Sequence, residues 1–457
     1  MIRAVGIKHL FTYILLVALT GCTFQNKPLN DPKVPPDQRK QNNTRAALFI
    51  DHPPQDADGY FVGLSLSGGG SRSAAFSAAC MFQLERVGIL QKVDYISTVS
   101  GGSLPGAYYC LHGSEWNPGN VQAKMVHEFA TDLIVQTFYI PWNWCALMFG
   151  DFNRSDILAQ AFDDVLFSRG GKSMTFKDLR PDRPRLLINT TDLQSGRRWI
   201  FANESFNQIN SDLANYPIAY AVAASSAVPV VLHPVVMHDF ATIYPRSLQL
   251  VDGGVADNLG IVTLVETYTN QVELAQKEHL PDPYPHGAVF VVVDSRVRYN
   301  ADMSGSNPGW LDVLRSVMRL TSNSLLNRVS SATMSDLILK HAPDEMTAKE
   351  LRDISQRLET DGYLEMKDRT GHDIVVLYMS LSQVDSLREV PFESFRQNVN
   401  SISTYFNIKP QEARDLYEAA DLLVKEKLED RMRDVAKKLH PEATTRPAPS
   451  PTTREAQ

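Results

Sequence analysis

The sequence predicts an α/β protein built on a mainly parallel sheet with helices on both faces. Short apolar runs of strand length alternate with helical patterns, and glycine-rich turns stand where the first strands give way to helices. The runs lie near residues 60–67, 93–99, 185–191, 248–251, 288–294 and 374–379, and all six read as parallel strands. A chain of 457 residues permits one large domain with appendages.

The first run, Tyr60 to Ser67, ends in Gly68-Gly69-Gly70, ahead of a helix rich in small residues: Ala74, Ala75, Ala78 and Ala79. A glycine triplet lets successive N–H groups converge on an anion, aided by the positive end of the following helix. Phosphate binding is the rival reading, and it fails on detail. A P-loop needs a lysine after its last glycine, where this chain has Ser71-Arg72, and a dinucleotide fingerprint needs glycine at Ser73. The triplet fits an oxyanion loop better. Arg72 either lends positive charge to such a site or pairs with a carboxylate of the fold, with the structural pairing favoured slightly.

The second run, Val93 to Val99, is followed at once by Ser100 and then by the helical pattern Leu104 to Leu111. A serine on a sharp strand-to-helix turn needs small neighbours so that helix and strand can pack, and Gly101, Gly102 and Gly106 supply them. Ser100 is therefore the candidate nucleophile. Read alone, the segment fits equally well a glycine-rich turn with Ser100 as a helix cap. The first glycine of the usual G-x-S-x-G is replaced by Thr98.

The fourth run, Leu248 to Val251, ends in Asp252-Gly253-Gly254. A carboxylate at a strand's C-terminal end sits where ligands bind in open α/β sheets. The bland alternative is a turn aspartate satisfied by glycine N–H groups. Asp257 is read as a cap or supporting residue.

Taken in this order, Ser67-Gly68-Gly69-Gly70-Ser71-Arg72, Val99-Ser100-Gly101-Gly102-Ser103 and Asp252-Gly253-Gly254 resemble the patatin-like phospholipase family. The first segment is similar to the version in cytosolic phospholipases. Arg185 to Asp192 with Gly196, and Ala221 to Pro234, add to the likeness, which covers roughly residues 59 to 300. The resemblance implies a three-layer α/β sandwich and a lipid acyl hydrolase of phospholipase A or lysophospholipase type. It makes Ser100 the nucleophile, Asp252 the base and Gly68, Gly69 and Gly70 the oxyanion loop, with no metal or other cofactor. A thioesterase or other acyl-ester hydrolase of the envelope, a catalytically inactive envelope lipoprotein and, least favoured, a phosphate- or nucleotide-binding protein are the rival readings. A histidine triad is disfavoured, because His286 and His372 precede apolar runs instead of following a late strand. His233, beside prolines, reads as structural.

The N-terminus carries Arg3 and Lys8, an apolar stretch from Leu10 to Leu19, and Leu19-Thr20-Gly21-Cys22. This is the pattern of a bacterial lipoprotein signal peptide, 1–21, with Cys22 as the lipid attachment point. The stretch is too short to span a bilayer, for which roughly 20 residues are needed. Thr23, in place of an aspartate associated with inner-membrane retention, favours the outer membrane, with the protein facing the periplasm. The formal net charge of −7 draws the chain neither to nucleic acid nor to anionic lipid, so the acyl anchor is expected to hold it at the membrane. Protein partners are not indicated. With Cys22 lipidated, Cys80, Cys110 and Cys145 remain, and buried thiols are the default reading.

Residues 22–58, polar and proline-bearing, are expected to form a tether. The catalytic domain is expected over 59–382, with an aromatic insertion near 138–152 that caps an acyl pocket, dips into the interface or simply packs in the core. Residues 309–340 and 345–360 read as helical. A helical extension over 383–440 contains a long charged helix from Gln411 to Leu439, with Leu416, Ala420, Leu423 and Leu428 at helical spacing. The proline-rich 441–457 reads as a disordered tail.

Overall fold

The computed structural model describes residues 26–35, 50, 58–140, 142–143, 146–147, 150–229, 231–242, 244–297, 348–404 and 406–440. The signal peptide with Cys22, most of the expected tether, Trp144, Cys145, the expected helix at 309–340 and the tail 441–457 lie outside the described residues.

The chain opens β1 (Tyr60–Leu66), α1 (Gly70–Arg86), β2 (Tyr95–Val99), α2 (Ser103–Leu111), α3 (Pro118–Met125), α4 (Phe129–Phe138) and α5 (Arg154–Phe162). Next come β3 (Arg185–Asp192), β4 (Arg198–Phe201), α6 (Ile218–Ser225), β5 (Val235–Asp239), β6 (Arg246–Asp252), α7 (Ile261–Lys277) and β7 (Gly287–Asp294). The last part holds α8 (Ala348–Asp361), β8 (Tyr363–Lys367), β9 (Asp373–Ser380), α9 (Phe395–Ser401), α10 (Pro410–Leu423) and α11 (Glu429–Leu439). One turn of π-helix, 424–428, joins the last two.

All six expected strands form, and the described residues build a nine-stranded sheet in the order β8-β9-β7-β1-β2-β3-β6-β5, with β4 also paired to β3. The pairs β9–β7, β7–β1, β1–β2 and β2–β3 are parallel. One expectation is corrected. Strand β6 runs antiparallel to β3, and β5 and β8 are antiparallel edge strands. The apolar content of 248–251 reports burial, which both pairing directions share, so direction could not be read from it.

Alternating residues along the central strands enter two different cores, which makes the sheet the middle of three layers. Val289, Val291 and Val293 of β7 join Leu64, Leu66 and Ile96 beneath α1, α2, α5 and α6, while Ala288, Phe290 and Val292 join Phe61, Tyr95 and the apolar face of α7. The C-terminal helices belong to the first core. Leu416, Ala420, Leu423 and Leu428, anticipated as the apolar stripe, are buried there with residues of α1.

Residues 26–34 were expected to be part of the tether, and instead they dock on the edge strand β5. Asn26 Oδ1 accepts the Val236 N–H at 2.6 Å, and Asn30 both accepts the His238 N–H at 2.9 Å and donates to the His238 carbonyl at 2.8 Å. Two asparagine side chains thus bond outward-facing peptide groups of β5 that a neighbouring strand would otherwise take. Sequence composition marks such a segment as polar without revealing that its amides have partners some two hundred residues away.

Candidate active site

The site forms where β1, β2, β3 and β6 end. Ser100 follows the last residue of β2 and has φ 49°, one of three non-glycine residues with positive φ among those described. A left-handed serine costs roughly 1–3 kcal/mol and persists only when its surroundings hold it. Its N–H donates to Ser225 Oγ at 2.8 Å, and Ser225 in turn donates to the Asn189 carbonyl at 2.6 Å. The turn also needs glycine at two neighbours: a Cβ on Gly101 would lie 2.0 Å from the Gly70 carbonyl oxygen, and one on Gly102 would lie 2.6 Å from that of Ser67.

Thr98 is accommodated by Gly106 one helical turn along. A Cβ at Gly106 would meet the Thr98 methyl at 2.6 Å, so this glycine makes the room that the absent elbow glycine would have made. The Thr98 hydroxyl also accepts a bond from Ser103 at 2.9 Å.

Asp252 closes β6. Val99 pairs with Asn189 and Asp252 with Thr190, while β4 pairs with the same two residues from the opposite edge, so β2 and β6 run head to head along one edge of β3 and bring Ser100 beside Asp252. The Ser100 hydroxyl faces the Asp252 carboxylate closely enough to favour its ionised form. The carboxylate accepts the Gly254 N–H at 2.7 Å, while the Asp252 N–H donates to the Ala227 carbonyl at 2.9 Å. Burial pushes the Asp252 carboxyl up to about 6, against the opposing pull of the Gly254 bond and of Ser100. A hydroxyl facing a carboxylate of that acidity is poised for proton transfer near neutral pH.

The glycine loop passes directly over this pair. A Cβ on Gly68 would stand 3.4 Å from Ser100 Cβ, which brings the loop within reach of whatever the serine attacks. The loop's expected donors are refined by the structure: Gly68 N–H is taken by the Asn258 carbonyl at 2.9 Å, whereas the N–H groups of Gly69 and Gly70 meet no acceptor among the described residues. Gly69 has φ 138° and Gly70 begins α1, so both N–H groups lie at a helix N-terminus. Ser295 braces the loop, donating to the Gly68 carbonyl at 2.7 Å while its N–H bonds Ser67 Oγ at 2.9 Å.

Arg72 is buried, and its Nη1 donates to the Ile402 carbonyl at 3.0 Å, tying α1 to the C-terminal helices. Asp257 accepts N–H groups from Leu259, Gly260 and Val262, and so caps α7. His286 bonds the Asp58 carbonyl and His372 the Asp282 carboxylate, far along the chain from the serine. Burial, and then the nearby Arg154 charge, hold the His233 imidazole below its usual range. Cys80 and Cys110 are buried free thiols.

Ser225, Asn189 and Ser295 were missed as supporting residues. The stretches that hold the first two were singled out, but nothing in a stretch of apolar and small residues says which hydroxyl reaches which peptide group.

The fold and site define an α/β protein with a hydroxyl–carboxylate pair and free amide donors gathered at the strand ends. Within that class, residues 64–265 match the model of the Patatin-like phospholipase family. Human GIVD cytosolic phospholipase A2, solved with methyl gamma-linolenyl fluorophosphonate and terbium chloride, is similar at 12% identity over 87% of this chain and 62% of its own, with a TM-score of 0.46. This chain therefore spans about three fifths of that one. VipD from Legionella pneumophila matches at 13% identity over 83% of this chain and 72% of its own, TM-score 0.28. The type III effector ExoU matches at 14% over 92% and 82%, TM-score 0.22. No curated protein matches the chain.

Proposed function

We propose that this protein hydrolyses acyl esters of membrane lipids, as a phospholipase A or lysophospholipase, through a Ser100–Asp252 dyad. The observation that carries the reading is the placement of a left-handed Ser100 against a buried Asp252, beside the loop that holds the Gly69 and Gly70 amides. Asp252 takes the hydroxyl proton as Ser100 Oγ attacks the ester carbonyl, and the two amides receive the charge that develops on its oxygen. Collapse of the tetrahedral intermediate expels the alcohol, which takes the proton back from Asp252. Water, deprotonated by the same carboxylate, then releases the fatty acid from Ser100.

The apolar character of the surroundings supports an acyl substrate. Val228 and Val255 are exposed, and each adjoins a residue that bonds Asp252. We further propose that the protein is a lipoprotein held at the outer membrane through Cys22, on the strength of the Leu19-Thr20-Gly21-Cys22 pattern.

A fluorophosphonate probe, which reacts with activated serines, is expected to modify Ser100 in the native protein and nothing in the Ser100→Ala variant. Mass spectrometry of products from a mixed envelope-lipid extract is expected to show free fatty acids with the matching lysolipids. Labelling without lipid products would move the substrate to a thioester or another envelope ester. Absence of both would leave an inactive scaffold.

A further inference from the structure

We propose that the N-terminal arm is a strut that fixes the face carrying Trp142 and the edge strand β5 against the bilayer in which Cys22 is anchored. The proposal rests on lipidation of Cys22.

Asn26 lies only four positions after Cys22. At no more than about 3.6 Å per residue, the anchor lies within about 14 Å of the docked segment. From Asn26 onward the arm is bound to the domain. Lys27 N–H donates to the Asp151 carbonyl at 2.9 Å, Ser211 Oγ donates to the Asp31 carbonyl at 2.7 Å, and Lys33 N–H donates to the Asn210 carbonyl at 2.9 Å. Asn26 and Asn30 are 2% and 5% exposed, so both side chains sit inside the domain instead of reaching away from it.

The residues beside the docking point suit a bilayer. Asp151 closes the segment that begins with α4, and that segment exposes Ile134, Val135, Tyr139 and Trp142, the last two by 75% and 83%. Asn143 N–H bonds the Ile140 carbonyl and Gly150 N–H that of Ala146. Exposed tryptophan and tyrosine beside a short acyl tether match the headgroup region, where amphipathic rings are favoured.

The same edge carries the site. Val236, bonded by Asn26, pairs with Gln249, and Asp252 lies three residues further along β6. One strand spacing of about 4.8 Å and three residues of about 3.4 Å separate their backbones by about 11 Å. An anchor this close to the carboxylate presents the site to lipids of its own leaflet, whereas a free tether of the full expected length would let the domain tumble.

The test uses the full-length, lipidated protein in phosphatidylcholine vesicles carrying a lipid-borne quencher. A fluorophore is placed by Trp142→Cys or, on the layer across the sheet, by Leu280→Cys, with the labelled parent protein as background. Quenching is expected at 142 and absent at 280. Inserting about 20 Gly/Ser residues between Thr23 and Phe24, which leaves every docking bond in place, is expected to abolish the difference. So is the pair Asn26→Ala and Asn30→Ala. Equal quenching at both labels, or a difference that survives the insertion, overturns the strut. Mass spectrometry of the mature N-terminus reports separately on Cys22, and an unlipidated terminus removes the proposal. Turnover of a soluble short-chain ester reports on the hydrolase reading alone.

Discussion

Ser100 and Asp252 meet end to end along one edge of β3: Asn189 pairs with Val99 at the end of β2 and Thr190 with Asp252 at the end of β6, while β4 holds the opposite edge. The two strands run toward each other and end at adjacent positions of the same neighbour, so no strand separates the serine turn from the carboxylate. Sheet register therefore sets the reach between the two side chains.

Because Asp252 is the proposed base, Asp252→Asn is expected to abolish ester hydrolysis. The same change is expected to stabilise the fold at neutral pH. The folded carboxyl, held near 6 by burial, binds a proton more tightly than its unfolded counterpart. Its contribution to stability is complete below pH 4 and is lost as pH rises through 6, so at pH 7 the ionised group costs about 2–3 kcal/mol. Chemical denaturation of parent and variant at pH 5 and pH 8 checks the sign: the advantage of asparagine must grow with pH.

Activity itself follows the opposite trend. The base works only when ionised, so kcat/KM on a soluble ester is expected to fall as pH drops below about 6, with an acid limb of unit slope. A profile flat from pH 5 to pH 8 would exclude Asp252 as the base.

Ser225 holds the Ser100 N–H without touching substrate in the proposed mechanism. Ser225→Ala is expected to reduce kcat by about 10–100-fold through a misplaced nucleophile, with the fluorophosphonate labelling rate falling in parallel and KM little changed. Ser225→Thr retains the hydroxyl and is expected to rescue part of the loss.

Gly101 and Gly106 separate two kinds of close contact. In Gly101→Ala the new methyl would confront the backbone carbonyl of Gly70, so the loop must move, and a loss of about 10²–10³ in kcat is expected, comparable to removing an oxyanion donor. In Gly106→Ala it would confront the Thr98 side chain, and the combination Gly106→Ala with Thr98→Gly is expected to recover stability lost by the first change alone. Thermal unfolding of the single and double variants measures that coupling.

Much of the site could be read in the chain itself. Ser100 ahead of Gly101 and Gly102, the triplet Gly68 to Gly70 and the Asp252-Gly253-Gly254 turn are local signals, because each states a backbone requirement that only small residues meet. The strands were legible for the same reason, as runs of Val, Ile and Leu bounded by turns. Other features were not local. The direction of β6, the loss of Gly68 as a donor to Asn258, the brace from Ser295 and the docking of Asn26 and Asn30 all depend on hydrogen bonds between residues more than fifty positions apart.

The sequence by itself determined the strands, the strained serine turn and the chemical types available at each strand end, since steric demand and apolar burial act over a few residues. Tertiary structure alone decided which amides remain free, how acidic Asp252 is, and where the N-terminal arm comes to rest. Each of those is a property of distance in space, and in a folded chain a peptide group's partner is chosen by packing, whatever its position in the sequence.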